Sequence, residues 1–313
     1  MDGIFVIDKG EGLTSHDVVA RVRRLTRQKR VGHAGTLDPA ATGVLPILLG
    51  QATRVAEYLS ASGKAYRAVI RFGMETTTYD REGEVTRTAE PEALAALTLA
   101  HIEAALPAFL GEQEQLPPIY SAIKRDGQPL YALARAGKAV VVEPRRVRID
   151  ALRVVVWNSP DLTLDVECGK GTYIRSLAHD LGQRLGAGAH LAALTRTRSG
   201  PFTLDQAITL EQLEQALATE AWRDRLFAAD EALLDWRAVI LSAASEARMR
   251  NGQPLRFARR PHPQPLSQGA RGEDAPPARA YSADGRFLGI VLWSAEQAAW
   301  QPHKVLPTQL EAE

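Results

Sequence analysis

Residues 31–43 read VGHAGTLDPAATG and run directly into VLPILLG at 44–50. The first stretch is rich in Gly, Ala and Thr with one proline. That composition predicts an exposed, tightly turning loop and not a regular element. The second is a short apolar run of the length of a buried strand. Asp38 therefore sits in a frame of small side chains that let a substrate backbone approach closely, and Pro39 restricts its conformation. An isolated Asp-Pro step reads as a turn cap; the long frame of glycine and threonine argues for more.

On the N-terminal side, IFVI (4–7) predicts a short buried strand. Thr14, Ser15 and Asp17 are each plausible caps for a helix running to about Arg27. On the C-terminal side, QATRVAEYLS reads as a helix, KAYRAVIRFG as an alternating strand and residues near 91–106 as helical. Residues about 112–142 carry paired prolines, an Asp-Gly turn and a basic amphipathic pattern, which predicts a protruding hairpin or loop with a helix. VRIDALRVVVW and LTLDVECGK read as adjacent antiparallel strands. GTYIRSLAHDLGQRLG reads as a helix ended by Gly186, and AHLAALTRTRSGPF as a strand turning at Ser199-Gly200-Pro201. Thr209 and Gln212 have capping-box spacing ahead of a helix from Leu210, and the chain to about Asp235 reads as acidic and helical.

After Trp236 the texture changes. A short helix ending at Gly252 is followed by short strands, with Asp284-Gly285 as a hairpin turn. A stretch rich in Pro, Gln, Gly and Ser at about 259–278 cannot bury a core and predicts a flexible insertion. The expected fold class is α+β: a mixed or antiparallel-sheet catalytic domain over 1–235, then a small β-barrel over 236–313.

Bulk properties agree. The chain has 313 residues, 45% hydrophobic and 24% charged, which suits an ordinary globular protein of two domains. A single cysteine cannot form an internal disulfide. MDGIFVIDKG lacks the marks of a signal peptide, and no apolar run approaches the roughly 20 residues needed to span a bilayer. The expectation is a cytoplasmic protein. Net charge is only +1, yet Arg21, Arg23, Arg24, Arg27, Lys29 and Arg30 fall between Asp17 and Asp38 with no acid among them. That run suits a polyanion partner or a solvated helix face.

Three further segments could carry chemistry. In Lys64-Ala65-Tyr66-Arg67, a strand tyrosine offers a flat face for a base and a hydroxyl for proton transfer, or is simply core. In Gly169-Lys170-Gly171-Thr172-Tyr173-Ile174-Arg175, Arg175 falls in the first turn of a helix, where the dipole disfavours a cation. That position calls for a carboxylate or phosphate partner, unless it is a surface ion pair. In the segment 189–200, Leu194 reads as core, while Arg196 and Arg198 share a strand face that meets phosphates or solvent. No histidine or cysteine spacing fits a metal, and no glycine-rich nucleotide loop is present. Cys168 has no histidine base nearby in sequence and reads as a strand residue.

These segments, in this order, resemble the bacterial tRNA pseudouridine-55 synthase family, TruB. The likeness runs over most of residues 3–235, through IDKGEGLTSHDVV, RVGHAGTLDPAATGVLPILLGQATR, KAYRAVIRFG, PPIYSAIKRDGQPLYALARAG and CGKGTYIRSLAHDLG onward. The C-terminal module occupies the place of that family's PUA domain. The resemblance implies an isomerase that turns uridine 55 of the tRNA T-loop into pseudouridine by flipping the base. Asp38, in the GTLDP motif with Thr36, would be the nucleophile, Tyr66 would stack on the flipped base, and Arg175 would pair with Asp38. Leu194 would line the base pocket and His33 would hold the RNA open. Lys9 matches a DKP lysine, with Gly10 in place of the proline. Lys124 and Arg196 would contact RNA. No cofactor is implied, since the reaction is redox-neutral. The partner would be the tRNA T-arm, met by a monomer without an obligate protein partner. The rival readings are an RNA-folding chaperone of tRNA with incidental catalysis, a uracil methyltransferase using Cys168, and a glycosidase. The last would need a second paired acid.

Overall fold

The structure, a computed structural model, describes residues 1–120, 142–256 and 277–306, and the backbone alone at 124–125 and 128–129. Strands β1 (Gly3–Lys9), β2 (Val31–His33), β3 (Thr42–Leu49), β4 (Lys64–Phe72), β5 (Gly111–Gln115), β6 (Arg145–Asn158), β7 (Asp161–Cys168), β8 (Ala189–Ser199), β9 (Phe202–Thr203) and β10 (Leu226–Phe227) form one sheet. Its order is β10-β1-β3-β8-β4-β7-β6-β5, with β2 also on β3 and β9 on β8. Every pairing is antiparallel except β3 with β8, where Thr42 and Gly43 lie beside Thr195 and Arg196. The one parallel contact puts the end of the Asp38 loop against the Leu194–Arg196 segment.

Strand β1 explains why IFVI is apolar at every position. Phe5 and Ile7 enter a core shared with helix α1 (Ser15–Thr26), β4 and helix α2 (Ile174–Arg184). Ile4 and Val6 enter a second core with Leu48, Leu59, Phe202 and Ile290. Alternate side chains leave a strand on opposite faces, so a sheet covered on both sides needs a continuous hydrophobic run. Strand β4 is covered on one side only and alternates. Lys64, Tyr66, Ala68, Ile70 and Phe72 are buried, while Arg67 and Arg71 face outward and make bidentate pairs with Asp165 and Asp161 across the ladder.

Helix α1 starts at Thr14 through a reciprocal capping box: Thr14 Oγ1 accepts from Asp17 N at 3.1 Å, and Asp17 Oδ2 accepts from Thr14 N at 2.9 Å. The helix Leu210–Ala218 starts at Thr209 with Gln212 in the same way. Gly186 takes φ +73° just past α2, as a helix-ending residue should.

Three expectations change. Residues 112–115 belong to β5 at the sheet edge, not to the hairpin; of the expected 112–142 element, only the short ladder of Lys124–Arg125 with Gln128–Pro129 is described beyond residue 120. The stretch to Asp235 is one helix followed by short 3-10 turns and β10. The C-terminal module forms, among the described residues, an open four-stranded sheet and no closed barrel: Arg237–Ile240, Ala278–Tyr281, Phe287–Ser294 and Ala299–Val305 in that order. Arg237–Ile240 lies at one edge, parallel to its neighbour, and the opposite edge meets Leu255 through two backbone bonds at Trp300. The insertion at about 259–278 lies almost wholly outside the described residues. No helix among the described residues is long and apolar enough to cross a membrane.

Candidate active site

The loop between β2 and β3 is not the exposed turn that its composition predicts: Ala34, Leu37 and Ala41 are buried. It is fastened at nearly every residue. Arg196 Nη2 and Nη1 donate to the carbonyls of Gly35 and Thr36 at 3.0 and 3.3 Å. Ser15 Oγ accepts from Leu37 N at 2.9 Å. Pro39 O accepts from Lys9 Nζ at 3.1 Å and from Gly12 N at 2.9 Å. The loop closes through Gly43 at φ +96°, where an added Cβ would lie 2.3 Å from Arg196 O, so only glycine fits. Asp38 remains free to present its side chain. Its backbone carbonyl takes the turn bond from Ala41 N at 3.1 Å, and its carboxylate goes elsewhere.

That destination is Arg175, whose Nη2 stands 2.9 Å from Asp38 Oδ2. The Arg175 side chain is only 7% exposed, while that of Asp38 is 47% exposed. The guanidinium is thus the buried member of the pair, and the carboxylate faces the open cavity. Arg175 is further held by Thr78 O (3.3 Å), Tyr120 O (3.1 Å) and the carboxylate of Asp80 (3.4 Å). Helix α2 has no side-chain cap of its own. Gln115 from β5 supplies one, bonding both Tyr173 N (2.8 Å) and Tyr173 O (3.0 Å). The cation against the helix dipole is offset by two carboxylates and by carbonyls.

A cavity of about 360 Å³ opens on this pair, lined among others by Thr36, Asp38, Tyr66, Arg175, Leu194 and Arg196. Six of the expected residues are therefore together. Burial pushes the Tyr66 phenol up, so its neutral form is favoured; it is a wall of the cavity and a poor base.

Lys9 and Arg196, expected to contact RNA, hold the loop from its buried side. Lys9 is fully buried, and its Nζ also donates to Gly10 O (3.0 Å) and Leu13 O (2.7 Å). Arg196 is fully buried too, and its Nε donates to Val44 O at 2.7 Å. Arg198, expected beside it, pairs with Glu167 at 3.2 Å. His33 lies on β2 outside the cavity lining, against His16 with ring centroids 5.6 Å apart, and burial pushes its pKa down. The Lys124 side chain lies outside the described residues. Cys168 is a buried strand residue, its thiol pushed up to about 11 by burial, which removes it as a nucleophile.

Two residues escaped the sequence reading. Asp80 was hidden in an unremarkable TTTYD stretch. Lys64 opens the very motif that carries Tyr66. Its Nζ donates to Ser60 O and Ser62 O at 2.9 Å each, and burial pushes it down to about 8. No group of histidine, cysteine or acidic residues among the described ones is arranged to hold a metal ion.

Residues 23–174 match the family model of the TruB family pseudouridylate synthase N-terminal domain, and 175–240 that of the tRNA pseudouridylate synthase B C-terminal domain. A relative from Pseudomonas fluorescens named tRNA pseudouridine synthase B is 44% identical over 296 residues, covering 93% of this chain and 91% of its own. One of the same name from Burkholderia mallei is 42% identical over 309 residues, covering 98% of each. A solved Cbf5-Nop10-Gar1 complex matches 97% of this chain and 84% of its own at 26% identity, with a TM-score of 0.72. An H/ACA RNP bound to a substrate RNA containing 2′-deoxyuridine also gives 0.72, at 24% identity over 98% of this chain and 86% of its own, a likeness of fold. With similarity of this extent running through both walls of the Asp38 cavity, the chain belongs to the TruB family of pseudouridylate synthases.

Proposed function

We propose that this enzyme converts uridine 55 in the T-loop of tRNA to pseudouridine, with Asp38 as the nucleophile. The observation that carries the reading is the Asp38–Arg175 pair at 2.9 Å, its carboxylate facing a cavity walled by Tyr66 and Leu194. The reaction breaks the C1′–N1 bond and rebuilds it between C1′ and C5, so it consumes no oxidant, reductant or nucleotide. What it needs is a carboxylate of fixed direction, a slot for a base that has left its stack, and exclusion of competing groups. Leaving the stack costs a few kcal/mol, which contacts with the flipped base must offset. Tyr66 offers the stacking face and Leu194 the apolar edge. Arg175 aims one oxygen of Asp38 and supplies the charge that faces it.

Arg24, Arg27 and Lys29 are exposed at and just beyond the end of α1, and we assign them to phosphates of the T-arm. The sheet beyond residue 236 is assigned as a PUA-type RNA-binding module. The protein acts as a cytoplasmic monomer. A tRNA chaperone with incidental catalysis would share the basic surface, but it would not need a carboxylate held at 2.9 Å from a buried guanidinium. The test is incubation with unmodified tRNA followed by mapping of pseudouridine. Product at the T-loop uridine is expected; its absence there sinks the assigned specificity.

A further inference from the structure

The turn that carries Asp80 is held by a contact that the reaction chemistry does not use. It joins two small strands, Met74–Thr76 and Val85–Thr88. Within it Tyr79 has φ +62°, a left-handed backbone that a bulky residue adopts only under constraint. The constraints are visible. Tyr79 N–H donates to Thr76 O at 3.2 Å, and its carbonyl accepts from Leu191 N at 2.9 Å on β8. Its ring lies flat on His179, with centroids 4.0 Å apart and planes within 9°. His179 is one turn beyond Arg175 on α2, so both side chains leave the same helix face. Arg175 meets the residues on either side of Tyr79: the carbonyl of Thr78 at 3.3 Å and the carboxylate of Asp80 at 3.4 Å.

We infer that Tyr79 is a positioning residue of the active site: its ring, clasped on His179, holds the turn in the left-handed state that aims Thr78 and Asp80 at Arg175, and so sets the guanidinium against Asp38. The clasp and the ion pair form a two-point attachment between one helix face and one short turn. Losing the stack removes one point. The backbone of residue 79 then relaxes toward ordinary φ, and Thr78 and Asp80 turn away from Arg175 together. The inference rests on the reading of Asp38 and Arg175 as the reacting pair.

The experiment measures kcat and KM on tRNA for Tyr79→Phe, Tyr79→Ala, Tyr79→Gly, His179→Ala and the Tyr79→Ala/His179→Ala double variant. All are assayed at a temperature where circular dichroism finds them folded. Tyr79→Phe keeps the ring and is expected to match the parent. Tyr79→Ala and His179→Ala are expected to lower kcat about tenfold or more with KM within about twofold, since misplacement acts on chemistry and not on tRNA binding. The double variant should lose no more than either single one, because both remove the same stack. Tyr79→Gly is decisive: glycine adopts the left-handed backbone without strain, so it should recover much of the kcat that Tyr79→Ala loses. Parental kcat in Tyr79→Ala, a Tyr79→Gly no faster than Tyr79→Ala, a loss confined to KM, or multiplying losses in the double variant would overturn the inference. Asp38→Asn is assayed alongside. Activity there removes the reading beneath, whereas inactive Asp38→Asn with a fully active Tyr79→Ala overturns the positioning role alone.

Discussion

Replacing Arg196 with methionine keeps a chain of similar length and removes every donor. Three carbonyls then lose their partners: Val44 O at 2.7 Å, Gly35 O at 3.0 Å and Thr36 O at 3.3 Å. Each unsatisfied buried acceptor costs about 1–3 kcal/mol. Against this, the protein no longer buries a cation, whose desolvation opposes folding by several kcal/mol even when well bonded. The balance is a loss of about 2–4 kcal/mol, which lowers Tm by roughly 3–6 °C in a chain of this size. Activity should fall further than stability. Gly35 and Thr36 are the approach to Asp38, and a displacement of about 1 Å at the nucleophile can cost about 100-fold in kcat. Urea unfolding of the parent, Arg196→Met and Arg196→Lys, together with kcat and KM on tRNA, reads both effects. Lysine keeps the charge but not the fork of donors, so it should recover only part of either loss. A methionine variant with the parental urea midpoint, or one whose only change is a higher KM for tRNA, would refute the clamp and make Arg196 an RNA contact.

Other consequences are as direct. Lys9→Met removes three carbonyl bonds beneath Pro39; a loss of about 1–3 kcal/mol in urea melts and a lower kcat at unchanged KM are expected, and a raised KM alone would contradict the assignment. Gly43→Ala forces a Cβ to 2.3 Å from Arg196 O at φ +96°, and should cost about 3 kcal/mol or more by calorimetry; a melt close to that of the parent would show that the strand pair can part. Lys64 sits at about 8 in the fold against an ordinary 10.5. Between those values the unfolded chain binds more protons than the folded one, so the parent should gain stability over Lys64→Met as pH rises from about 8 toward 10.5. Parallel stability–pH curves for the two proteins would sink that reading.

Much of this site was legible in the chain because its parts are local. The glycines and threonines around Asp38, the tyrosine on an alternating strand and the arginine in a helix's first turn each announce themselves within a few residues. Helix boundaries were legible for the same reason, since Thr14 with Asp17 and Thr209 with Gln212 are short-range caps. What was not legible depends on register between distant strands. A sequence cannot say that β8 runs beside β3 and drives the Arg196 side chain under the loop. Asp80 carries no local signature; only the fold brings it to Arg175. Residues 112–115 read as part of a hairpin because a charged edge strand buries too little to show a period.

The account stands on Asp38 as the group that attacks the uridine, and Asp38→Asn tests it with least disturbance. Asparagine keeps the shape of the side chain and removes the charge facing Arg175. The variant should fold, bind tRNA and make no pseudouridine at the T-loop uridine under single-turnover conditions with enzyme in excess. Pseudouridine forming there at the parental rate would contradict the nucleophile assignment outright.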